Sequence, residues 1–152
     1  MSIALTRHPV PDPRPQRAVG AARAAFKRRG DATALDDLYQ QGCLKIRFPR
    51  PEPGDRPEAV LLNTSGGVAG GDTLDVAVDL APGAVARASA QAAERFYRAL
   101  AGLPPARVRT AISVGAGADM EWMPQETILF DGCALDRSLD IDVAPDARFL
   151  GI

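Results

Sequence analysis

The stretch Leu80-Ala-Pro-Gly-Ala84 closes a run in which Val76, Val78 and Leu80 alternate with Asp75, Ala77 and Asp79. A period of two puts the apolar side chains on one face of a strand and the acids on the other. Proline and glycine then impose a sharp corner. Two later stretches follow the same plan. Ile112 and Val114 flank Ser113 and run into Val114-Gly-Ala-Gly-Ala118, while Leu139, Ile141 and Val143 alternate with Asp140 and Asp142 and run into Val143-Ala-Pro-Asp-Ala147. The corners recur after 34 and then 29 residues. One strand-corner-strand unit cannot bury its apolar face alone. Either the units stack around a continuous core, as in solenoids, or they are hairpins of a β-sandwich that share common turn chemistry. Periodicity alone tips slightly towards the sandwich.

Further upstream, Leu44, Ile46 and Phe48 alternate with Lys45 and Arg47, and Pro49, Pro51 and Pro53 end that strand. The alanine-rich stretch from Arg17 to Gln41 is read as a hairpin turning at Arg29-Gly30-Asp31, although alanine also favours helix. Residues 1–16, with Pro9, Pro11, Pro13 and Pro15, read as a flexible extended leader, leaving 17–152 as the folded domain. Residues 88–100 are rich in helix formers and stop at Gly102 and Pro104-Pro105; both a helix and an extended arm stay open there.

The chain has 152 residues, the size of one domain, and a formal net charge of −1. That balance offers no bulk attraction to nucleic acid or to an anionic membrane. No apolar run approaches the ~18 residues of a membrane span, and the first residues have no apolar core for secretion, so a cytoplasmic protein is expected. Cys43 and Cys133 form no CxxC pair and read as small buried hydrophobes. The single histidine, His8, lies in the leader, which argues against Ser-His-Asp or Cys-His chemistry.

Two further motifs stand out. Leu61-Leu-Asn-Thr-Ser-Gly-Gly-Val-Ala-Gly-Gly-Asp72 suggests a phosphate loop, but no Lys-Ser/Thr follows its glycines and the next segment alternates like a strand. Gly66, Gly67, Gly70 and Gly71 are therefore read as a structural loop that turns sharply and fixes Asp72. Glu121-Trp-Met-Pro-Gln-Glu126 pairs two carboxylates, the minimal equipment of a glycosidase. A polar turn with Trp122 anchored in the core is the better reading, because aromatics make up only 5% of the chain and form no sugar-stacking array.

LLNTSGGVAGGDTLD (61–75), SAQAAERFYRA (89–99) and EWMPQETILFDGCAL (121–135), in this order and spacing, resemble the urease accessory protein UreD family, called UreH in some organisms. LYQQGCLKIRFPR (38–50) resembles the segment ahead of them. The resemblance covers about residues 20–150. It implies a mostly β, β-helix-like fold of stacked strands with sharp glycine and proline corners, in place of the sandwich. It also implies a scaffold without catalytic residues, which binds apo-urease and UreF-type and GTP-hydrolysing UreG-type partners for nickel insertion. No tightly bound cofactor and no stable metal site are implied, only nickel in transit.

Borderline metals are held tightly by His and Cys, so a conduit should offer carboxylates, carbonyls and water. Asp72, Glu121 and Glu126 are the expected lining of such a path. Arg95, Tyr97 and Arg98 combine the residue types enriched at interface hot spots and are the expected partner contacts. Two departures from the family pattern bear on this. Members commonly carry Thr and Lys where this chain has Glu94 and Arg95, and they continue well beyond the apolar pattern Phe149-Leu-Gly-Ile152. The chain thus reads as the N-terminal portion of such a protein, with an exposed end open to self-association. The competing readings are a carbohydrate-active β-helix enzyme using Glu121 and Glu126, or an inert truncated remnant.

Overall fold

The computed structural model describes residues 16–52 and 54–152. Residues 1–15 of the leader, His8 among them, and Pro53 lie outside the described residues. Twelve strands and no helix are found among those described: β1 (Val19–Arg29), β2 (Ala32–Gly42), β3 (Leu44–Arg47), β4 (Glu58–Asn63), β5 (Thr73–Leu80), β6 (Val85–Ala90), β7 (Glu94–Phe96), β8 (Ala106–Val114), β9 (Asp119–Met123), β10 (Thr127–Leu129), β11 (Leu135–Val143) and β12 (Arg148–Gly151). The expected hairpin is present: β1 and β2 pair antiparallel around Gly30-Asp31, and Gly30 supplies the left-handed backbone of the turn with a φ of 61°. Residues 88–100 contain no helix: Ala88–Ala90 end β6, the chain bends at 91–92, and Glu94–Phe96 pair in parallel with Thr127–Leu129, a pairing that overrides the helix propensity of the neighbouring alanines.

The corners explain the topology. The strands flanking each corner belong to different sheets, and each strand pairs in parallel with its counterpart in the next repeat. Leu80 lies beside Val114 and Val114 beside Val143, so the three corners sit in register. Backbone N–H groups join them: Gly115 donates to the Leu80 carbonyl and Ala144 to the Val114 carbonyl, each at 2.9 Å. Two mixed five-stranded sheets result, ordered β11-β8-β5-β1-β2 and β12-β9-β6-β4-β3, each with one antiparallel pair at its beginning. β7 and β10 form a third, two-stranded sheet.

The core lies between the two larger sheets. Phe26, Leu74, Val78 and Ile112 face Ala86, Ala88, Met120 and Trp122, all buried. Alanine on the second sheet lets the sheets approach closely around the bulkier residues of the first. Trp122 is anchored as expected, and Val68 and Phe96 close the third side. Cys43 and Cys133 are half-buried free thiols packed against this core; burial raises the pKa of Cys43. On β11 the inward positions Leu139, Ile141 and Val143 are exposed, whereas their register partners Thr110, Ile112 and Val114 are buried.

An ion-pair ladder ties the repeats together on the outer face of the second sheet. Asp119 accepts two hydrogen bonds from Arg56, at 2.8 and 3.2 Å, and a third from Arg148 of β12. Glu121 is held by Arg87 at 2.7 Å and by Arg56 at 3.3 Å. The Arg56 hydrogen bonds, aided by the charges of Arg56 and Arg148, hold the Asp119 pKa below its usual value. A carboxylate with a depressed folded pKa stabilises the fold above its unfolded value of about 3.9, and that contribution fades as pH falls through the folded value. Asp119→Asn is therefore expected to cost about 1–3 kcal/mol in urea melts at pH 7. Its melts should converge on wild type only as pH falls through the lowered Asp119 pKa.

Candidate docking face and inner cavity

β4 ends in a turn that starts the glycine loop. The Asn63 side-chain carbonyl accepts the Ser65 N–H at 3.0 Å and the Ser65 hydroxyl at 2.6 Å. The loop then docks on β7: Val68 N–H donates to the Arg95 carbonyl and Tyr97 N–H to the Val68 carbonyl, both at 2.8 Å. Gly67 has a φ of 144°, and a Cβ there would run into the Tyr97 ring. The Tyr97 hydroxyl reaches the Gly66 carbonyl at 3.3 Å. Two motifs some thirty residues apart thus build one surface. Phe130 extends it, its ring centroid 5.3 Å from that of Tyr97, and Leu100, Ile128 and Leu129 are exposed nearby in the chain. Arg95 is exposed, and Arg98 is exposed and paired with Asp131. The three residues expected to contact partners therefore share a partly apolar face with guanidinium groups.

The three expected path carboxylates are not brought together. Asp72 is 5% exposed, and its two oxygens accept the N–H groups of Ala18 and Ala69, each at 2.8 Å, with Arg17 at 3.9 Å. It staples the start of β1 to the glycine loop. Glu121 belongs to the ion-pair ladder on the outer sheet face, and Glu126 is exposed, its backbone carbonyl accepting the Glu94 N–H at 3.0 Å.

A different carboxylate lines the interior. A cavity of about 260 Å³ opens between the sheets behind the glycine loop, with Asn63, Glu94, Thr110, Trp122, Thr127 and Arg137 in its wall. None of Asp72, Glu121 and Glu126 is part of that lining. The Asn63 amide donates to both Glu94 oxygens at 3.2 Å, and Arg137 donates to the Thr127 hydroxyl at 2.8 Å. Burial raises the Glu94 pKa against the opposing effect of the Asn63 hydrogen bond. Sequence reasoning noted Glu94 as a departure in charge but did not place it inside. The usable signal was the alternation of Glu94 and Phe96 inward with Arg95 outward, which holds only once residues 94–96 are read as a strand. Among the described residues, no group of three or more His, Cys, Asp or Glu side chains could hold a metal ion. No helix among them is long and apolar enough to cross a membrane.

The family described as UreD urease accessory protein matches residues 18–152. Similar proteins, each named urease accessory protein UreD, occur in Dinoroseobacter shibae (49% identical over 139 residues), Chelativorans sp. (48% over 137) and Rhizobium johnstonii (47% over 139). These matches cover 91%, 90% and 91% of this chain but 48%, 48% and 50% of the relatives. The chain spans about half the length of the curated relatives it matches.

Proposed function

The chain belongs to the UreD family of urease accessory proteins, and on that premise we propose that it is a non-catalytic, β-helix-like scaffold for urease maturation in the cytoplasm. In this reading it holds the urease apoprotein together with UreF-type and GTP-hydrolysing UreG-type partners while nickel is delivered. The observation that carries the reading furthest is the exposed Tyr97-Phe130 face with Arg95 and Arg98 beside it. Clustered aromatic and arginine side chains are the chemistry of interface hot spots. The parallel registration of the corners supports a stack stiff enough to present such a face.

Nickel enters this reading as cargo. Asp72 and Glu121 already spend their oxygens on backbone N–H groups and arginines. Glu94 is the carboxylate in the cavity wall, so we place the path past Glu94 in preference to Asp72, Glu121 or Glu126. Glu94 also accepts hydrogen bonds, but from the neutral Asn63 amide and not, among the described residues, from a paired arginine. With Arg137 in the same wall, it would hold a borderline cation only loosely, as transit requires. The glycosidase alternative gains no support, since Glu121 is committed to two arginines and Glu126 stands apart from the cavity.

Co-expression of tagged chain with urease subunits and accessory proteins tests the reading. Wild type should retain urease components on the tag, and Tyr97→Ala should weaken retention about tenfold or more. Glu94→Gln should retain the partners while lowering nickel incorporation into urease. A folded wild-type chain that captures none of them contradicts the scaffold.

A further inference from the structure

The stack begins at an end that lies within the family-matched region, bounded by β2 at the edge of the first sheet and β3 at the edge of the second. β2 is eleven residues long, and among the described residues one side of its backbone has no strand partner. A long exposed edge of this kind is ordinarily covered, charged or paired. Its inward-facing residues Leu35 and Leu38, opposite Phe26 and Ala24, are 40% and 38% exposed. Phe48, edge-on to Phe26 with centroids 6.2 Å apart, is 37% exposed. Gln40 bridges the two edges by accepting the Ile46 N–H at 2.7 Å. The result is a mouth whose floor is the buried Phe26 and whose rim is apolar.

The two lips of that mouth carry opposite charge. Asp37 stands on the outer side of β2, opposite Ala25, and Arg47 stands on the outer side of β3, opposite Val60, with Arg50 just beyond. None of these three has an ion-pair partner among the described residues. A two-fold axis running along the strands, midway between the sheets, exchanges the lips. It sets the acidic lip of one molecule on the basic lip of another, and does so twice. The same operation lays Leu35 and Leu38 of one molecule against Phe48 of the other. We propose that this end is a self-complementary interface at which a second copy of this chain docks, independent of the Tyr97 face.

Sedimentation velocity tests this. Every measurement uses a chain carrying Leu139→Lys and Ile141→Lys, which places charge across the exposed inward face of β11, and circular dichroism confirms folding. The expected result is a reversible dimer. Adding Leu38→Lys should weaken it about tenfold or more, as should Asp37→Arg or Arg47→Asp, and the Asp37→Arg/Arg47→Asp pair should restore it. A chain that stays monomeric at the highest concentration reached overturns the proposal, even if it captures another protein through β2. So does a dimer indifferent to Leu38→Lys, or charge reversals that the double variant does not rescue.

Discussion

Replacing Gly42 with alanine is expected to be among the most damaging single changes in the molecule, costing about 4 kcal/mol or more. Gly42 ends β2 with a φ of 60°, and a Cβ there would collide with the backbone carbonyl of Val19. That carbonyl also accepts the Cys43 N–H at 3.1 Å, so moving it breaks the joint between the hairpin and β3. A backbone obstacle cannot rotate away as a side chain can. For a chain of this size, such a loss lowers the melting temperature by about 8–16 °C. Gly30→Ala is the informative comparison. It shares the left-handed backbone, with a φ of 61°, but nothing lies within 4 Å of the added methyl, so only about 1 kcal/mol should be lost. Calorimetry on the two variants separates backbone strain from collision.

Asp72→Ala is expected to cost about 3 kcal/mol in urea unfolding. The change strips the acceptors from two backbone N–H groups and the counter-charge from Arg17 in a nearly closed site. Hydrogen exchange should quicken first at Ala18, Ala69 and their neighbours. A loss of urease activation in this variant would then report a loosened glycine loop under Tyr97, not a missing nickel ligand. If Asp72→Ala melts like wild type, the stapling role is wrong and the path reading of Asp72 returns.

The strands and corners were legible because both are local. Alternation at Val76-Val78-Leu80 and the Pro-Gly corner after it require only neighbouring residues, and the hairpin around Gly30 follows from its turn chemistry. What pairs with what was not local. Periodicity alone leaned to a sandwich, since nothing within residues 76–84 says that Leu80 will lie beside Val114 in parallel. The same gap hid the site. Glu121 looked available in sequence because the arginines that hold it come from positions 56 and 87. Glu94 looked like a surface change because its strand is three residues long and is defined by its partners at 127–129. Asp72 accepts the Ala69 N–H within the glycine loop, but the strand start it also secures, 54 residues earlier, gave no signal.

Site-specific photocrosslinking tests most directly whether the chain works by being gripped on the Tyr97 face. A photoreactive phenylalanine analogue replaces Phe130 on that face in one preparation, and Ser113 on the outer face of the first sheet in another. Irradiation with urease apoprotein and accessory partners should yield a crosslinked partner from position 130 and none from 113. Partners captured from position 113 and absent from 130 would contradict the assignment.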